Sequence, residues 1–211
     1  MAEIKWFGHA CFRIKSRDAT ILTDPVPRSF GYKVEKQKVD IVTFSHADPG
    51  HTAIEIVSNE PKIVDGPGEY EMNDVFITGI RTYHDDKKGE ERGRNTAYLF
   101  EVEDLVVLHL GDLGHLLEED EAEKFSAADI VIVPVGGGPV LDAKQAVEVI
   151  SSLDAKIIIP MQYRTANGDA ERDPLERFLT EMGVTEATPR DKLVVRESDL
   201  SETPEVVILS L

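Results

Sequence analysis

Imidazole side chains are gathered in the first 115 residues of this 211-residue chain, with carboxylates among them. All six histidines (His9, His46, His51, His84, His109 and His115) precede residue 116, and Asp112 lies between two of them in "HLGDLGH". His46 follows the apolar run "VDIVTF", His84 follows "VFITGIRTY", and His109 lies inside "LVVLHL". Neutral imidazole nitrogens and ionised carboxylates are the usual ligands of zinc, manganese and iron. Histidines at the ends of strand-like runs, where a rigid scaffold presents its loops, therefore point to a divalent metal site. The pattern alone names no reaction, and each histidine taken singly also reads as a packed structural residue.

The stretch "SHADPGHT", Ser45 to Thr52, holds two of these histidines and has two readings. One is a metal-binding loop. The other is a type II turn over "ADPG", with Pro49 presetting φ at the first central position and Gly50 supplying positive φ at the second. On the second reading His46 and His51 bond to Asp24, Asp112 or backbone, and no ion is required.

Short apolar runs bounded by Gly, Asp and Pro predict strands over "EIKWFG", "CFRIKS", "ATILTD", "VDIVTFS", "PKIVD", "DVFITGIRTY", "TAYLFEV" and "LVVLHL". "TAIEIVSN" suits a short helix capped by Thr52, and "LLEEDEAEKFS" a second. Then come the strand "DIVIVPV", a helix from Asp142, the strand "KIIIPMQY", the helix "DPLERFLTEMG", and the strands "KLVVRE" and "EVVILSL". So many strands need a second sheet or helices over their apolar faces. "DDKKGEERGRN", Asp85 to Asn95, reads as an exposed loop, and residues 1–211 as one domain.

Hydrophobic residues make up 41% of the chain, enough for a sizeable core. The net charge of −17 disfavours a nucleic-acid partner, because phosphate backbones are bound by Lys and Arg. The single cysteine, Cys11, excludes an internal disulfide and a Cys-rich zinc site. No signal peptide or membrane-length apolar run is visible, so the expected location is the cytoplasm, without a membrane partner.

The stretches "WFGHACFRI", "ILTDP", "IVTFSHADPGHT", "DGPGEYE", "ITGIRTYHD", "GRNTAYLFEV", "HLGDLGH", "VPVGG" and "IIPMQY" follow one another along nearly the whole chain. In that order they resemble the metallo-β-lactamase fold hydrolases, in particular the branch similar to ascorbate-6-phosphate lactonases and related Zn-dependent hydrolases. The resemblance implies a four-layer αββα sandwich of two mixed β-sheets with metals at one edge. It matches His46 and His51 to the first and last histidines of a His-x-His-x-Asp-His loop and His84 to a further metal histidine. Asp112 matches a bridging carboxylate, and Asp24 an aspartate that supports the site by hydrogen bonding.

Three positions depart from the pattern. Asp48 stands in place of the second loop histidine, Gly50 in place of the loop aspartate, and Gln162 in place of the last histidine of "PMHY". The resemblance then implies one Zn2+ or Mn2+ held by His46, Asp48, His84 and Asp112, with His51 left in a weak second site. Asp48 and Asp112 are the candidate catalytic carboxylates, although a metal-bound carboxylate is a poor base. His9, Asp24, His109, His115, Gln162 and Arg164 are expected to line or support the pocket, Arg164 suiting a phosphate or carboxylate group. The expected function is hydrolysis of a small molecule: a lactone, an ester or a phosphorylated sugar derivative. The alternative is a non-catalytic member without metal, serving in ligand binding or assembly, and a homo-oligomer is compatible with either. A nuclease role fits poorly with the acidic charge.

Overall fold

The computed structural model describes residues 1–211. In chain order its strands are Ala2–Trp6 (β1), Phe12–Lys15 (β2), Thr20–Thr23 (β3), Ile41–Thr43 (β4), Lys62–Val64 (β5), Gly68–Met72 (β6) and Val75–Tyr83 (β7). They continue with Arg94–Val102 (β8), Leu105–His109 (β9), Ile130–Pro134 (β10), Ile157–Met161 (β11), Leu193–Val195 (β12) and Glu205–Val206 (β13). The α-helices are Glu119–Phe125 (α1), Ala143–Ser151 (α2) and Leu175–Glu181 (α3).

Two mixed sheets result. The first has the order β12-β1-β2-β3-β4-β5 and the second β13-β11-β10-β9-β8-β7-β6. In the first, β1, β2 and β3 form an antiparallel meander and β3, β4 and β5 run parallel. In the second, the hairpin-linked strands β6 to β9 are antiparallel, while β9, β10, β11 and β13 are parallel. Parallel neighbours need crossover connections, and α1 and α2 supply them between β9, β10 and β11. Strands covered on both faces read as unbroken apolar runs, as "IVIVP" and "IIIPM" do.

The period-two side-chain alternation sorts the first sheet into an inner and an outer face. Ile4, Phe12, Ile21 and Ile41 join Phe100, Val107, Ile132 and Ile159 of the second sheet in one continuous core. Their neighbours Leu22 and Val42 point the other way, into a smaller cluster with Cys11, Val26, Tyr32, Val34 and Ile56. The sandwich and its helices match the expected fold class. The α-helices all follow β9, however, and the outer face of the first sheet is covered by loops and single 3-10 turns at Arg28–Phe30 and Ile54–Ile56.

The second of those turns corrects the helix expected from Thr52. Ala53 occupies the cap position without a side-chain bond, and the Thr52 hydroxyl donates to Asp48 O at 3.0 Å. Val57 is already extended and bridges Gln37, so the β-branched run is drawn into a strand-like pairing after one turn. The final strand is also shorter than "EVVILSL", with only Glu205 and Val206 in the sheet. No helix is long and apolar enough to cross a membrane.

Asp142 does cap α2: its carboxylate accepts from Gln145 N at 2.9 Å while the Gln145 side chain reaches back to Asp142 N. The helix buries Ala143, Ala146, Val149 and Ile150, a single stripe at helical spacing. Replacing Asp142 by Ala is expected to lower unfolding free energy by about 1 kcal/mol. Urea denaturation should show a reduced midpoint at unchanged slope.

Candidate metal centre

The loops leaving β3, β4, β7, β9 and β11 converge at one edge of the sandwich, joined there by the turn between β1 and β2. They carry Asp24, His46 and His51, His84, Asp112, Gln162 and His9 respectively. These residues form two groups of closely spaced donors, His46–His84–Asp112 and His9–His51–Asp112. Asp112 belongs to both. The first group is open to solvent at its histidines, whereas all three members of the second are buried.

Asp112 is 3% exposed and faces an imidazole on each side. Its Oδ2 lies 3.2 Å from His84 Nε2, and its Oδ1 lies 3.3 Å from His51 Nε2. Oδ1 also accepts from the Gln162 amide at 2.6 Å. Burial works against the ionised form of Asp112, but the imidazoles of His51, His84 and His46 hold its pKa well below the usual carboxylate value. His51 behaves conversely: burial opposes its charge, yet Asp112 and Asp24 raise its pKa well above the ordinary value. His46 is lowered by burial and by His51 and His84 nearby.

Several groups hold this arrangement in place. Asp24 Oδ1 accepts from Ser45 N at 2.7 Å, while Ser45 Oγ and His46 Nδ1 lie 3.0 Å apart. Asp85 and Asn95, the two ends of the stretch expected to be an exposed loop, are both buried. Asn95 lies instead in β8 and is a hub. Its Oδ1 accepts from Asp112 N at 2.9 Å, and its Nδ2 donates to Thr82 Oγ1 at 2.7 Å and Leu110 O at 2.9 Å. Gly111 fits between them with φ at 58°, where a Cβ would lie 2.5 Å from Asn95 Oδ1 and 2.7 Å from Ser45 Cβ. The signal in the sequence was only a polar residue inside an apolar strand.

Asp48 lies outside both groups. It is exposed, and its Oδ1 accepts from Gly50 N at 2.7 Å while His51 N donates to Asp48 O at 2.9 Å. This is a turn, but Gly50 is absent from the residues with positive φ, so the expected type II geometry is replaced by one closed on the Asp48 carboxylate. A short side chain that bonds its own backbone cannot also reach the ion of a longer histidine. Gly50 also has a steric reason: a Cβ there would lie 2.8 Å from Phe30 Cζ and 3.1 Å from Asp48 Oδ1.

The other expected pocket residues divide. Arg164 is exposed, and its backbone pairs with Asp173 and Pro174. His109 donates from Nε2 to Ala10 O at 3.0 Å and accepts from Gly111 N at Nδ1, so both its nitrogens are used in packing. His115 is likewise occupied, by Leu116 O and Tyr83 N, and braces the loop after β7. Gln162 is fully buried beneath Asp112, and Asp24 lies 3.5 Å from His51 Nδ1. His9 does more than line the pocket: its Nε2 is 3.1 Å from His51 Nε2, and its Nδ1 donates to Asp169 at 2.9 Å. Asp169 was not foreseen, because its loop carries no recognisable motif.

The chain and its fold are similar to known proteins. Residues 3–162 match the family model described as the β-lactamase superfamily domain. The chain is 29% identical over 197 residues to a UPF0173 metal-dependent hydrolase of Staphylothermus marinus, covering 78% of this chain and 85% of that one. A UPF0173 protein of Pyrococcus abyssi is 29% identical over 181 residues, covering 79% and 85%. Among solved structures, a Thermotoga maritima protein of the metallo-β-lactamase superfamily, assigned as a Zn-dependent hydrolase, superposes with a TM-score of 0.83 at 33% identity. It covers 99% of this chain and 98% of its own.

Asn95→Ala is expected to cost about 1–3 kcal/mol by leaving Asp112 N and Leu110 O without their partner. Chemical denaturation measures that loss, and Asn95→Asp should recover less than half of it, because a carboxylate cannot donate to Leu110 O.

Proposed function

This chain belongs to the β-lactamase superfamily domain family, and on that premise we propose that it is a metal-dependent hydrolase acting on a small-molecule ester or lactone. The ion is held by His46, His84 and Asp112. One observation carries the reading. His84 Nε2 is buried without a hydrogen-bond partner, yet it lies 3.2 Å from an ionised carboxylate oxygen in a group of three donors. Two ligands of one tetrahedral zinc, each about 2.0–2.1 Å from it, lie roughly 3.3 Å apart. The donor set therefore fits a zinc-sized ion, and two imidazoles with one carboxylate also suit manganese or iron.

The withdrawal of Asp48 reduces the expected four ligands to three. Three protein ligands with one open position are the usual equipment of a catalytic zinc site, whereas four close it. His46 and His84 are half-buried and Asp112 is buried, and the three together would hold the ion with a fourth position left to water or substrate. A bound divalent ion supplies Lewis acidity, polarising a carbonyl and bringing the pKa of water toward about 7.

The protein's own part is orientation and charge. Ser45 Oγ fixes the His46 ring, Asn95 fixes the Asp112 backbone, and Gln162 fixes one Asp112 oxygen. Gly50 places no carboxylate over the site, and Asp48 is bonded to Gly50 N, so no loop residue takes up a proton there.

Elemental analysis of protein purified without added metal tests this reading. Zinc, manganese or iron should be retained, and His84→Ala should remove one equivalent together with hydrolysis across an ester and lactone panel. A protein that takes up no metal even from millimolar zinc or manganese is instead the non-catalytic, ligand-binding member.

A further inference from the structure

The buried half of the centre poses a problem of protons. His9 Nδ1 lies 2.9 Å from Asp169 Oδ1, and a carboxylate only accepts, so Nδ1 carries the hydrogen and Nε2 a lone pair. His51 Nδ1 and Asp24 Oδ2 are 3.5 Å apart, and each is buried with no hydrogen-bond partner. His51 has a carboxylate on each side, Asp24 near Nδ1 and Asp112 Oδ1 near Nε2, so without a metal both nitrogens are placed to carry hydrogen, and a bound ion would take the place of the hydrogen on Nε2. The two Nε2 atoms face each other at 3.1 Å, a spacing that either a hydrogen on His51 donated to His9 or a cation held between them satisfies. Asp112 Oδ1 supplies a third donor, 3.3 Å from His51 Nε2.

We infer that His9 replaces the ligand missing at position 162, so that His9, His51 and Asp112 hold a second divalent ion. The inference rests on the metal-dependent reading above and departs from the single ion expected from sequence. Each histidine has a carboxylate behind it, Asp169 for His9 and Asp24 for His51. That is the arrangement by which proteins fix the tautomer of a metal-bound imidazole. Tyr32 completes it by donating to Asp169 Oδ2 at 2.7 Å. Gln162 is compatible with the ion, because an oxygen that accepts one amide hydrogen keeps a second lone pair. The loop after β11 thus still serves the site, acting through His9 by way of Asp169.

Cobalt(II) titration of the metal-free protein, followed by calorimetry and visible absorption, tests this. Wild type should bind two equivalents and His9→Ala one. The double variant His9→Ala with Gln162→His should regain the second, since it returns an imidazole to the neighbouring position. Asp169→Asn should weaken only the second equivalent, by roughly 10–100-fold. Far-UV circular dichroism checks that each variant is folded, and Asp169→Asn provides the test if His9→Ala is not. Two equivalents retained in His9→Ala would overturn the inference. So would a single equivalent in wild type that His84→Ala abolishes; a proton would then bridge His9 and His51, with the proposed function intact. No binding at all would remove both.

Discussion

A buried carboxylate whose charge is met by imidazoles alone is the constraint around which this centre is built. Asp112 is nearly inaccessible, and its charged neighbours are histidines, with no Lys or Arg in contact. An ionised group removed from water is costly unless it is paired and hydrogen-bonded. Here the compensation comes from the Asn95-held backbone, the Gln162 amide and imidazoles that offer either a proton or a site for a metal cation. Asp24 repeats the situation one layer deeper, between Ser45 N, His51 and His109. Two carboxylates placed so deep, with imidazole as the neighbouring group, are balanced by a hydrogen on the ring or by a bound cation.

The departures from the metal-loop pattern support one another. Gly50 leaves room for the Phe30 ring, which also lies edge-on to His9 with centroids 5.3 Å apart. Asp48, freed from a ligand's position, closes the turn that Gly50 completes. Gln162 trades coordination for a hydrogen bond to Asp112. Backbone strain marks the same place: His9, Asp24, Gln162 and Asp169 are all non-glycine residues with positive φ. Each such residue costs on the order of 1 kcal/mol or more, and their gathering at one edge is what a functional site produces.

Much of this was legible in the residues. Apolar runs and their punctuation located the strands, Asp142 announced its helix, and His46, His84 and Asp112 were each marked by a strand end. These are local signals, in which a side chain's neighbours in sequence are also its neighbours in space. Asp48 misled for the same reason. Its place in a motif suggested a ligand, while the deciding partner was the amide of Gly50 two residues on. The pairing of His9 with Asp169 could not be read, because it spans 160 residues and neither partner's loop has a periodic pattern.

The apolar runs by themselves determined that many strands would form and need covering, and the order of the motifs, by family resemblance, implied two sheets with imidazoles and carboxylates at one edge. Alternating and unbroken apolar runs have few other ways to leave water. Tertiary structure decided which donors face each other. That choice depends on loop paths set by packing, on the space Phe30 takes from Gly50, and on buried partners such as Asn95 and Asp169. Their hydrogen bonds acquire their value only once the fold has excluded water.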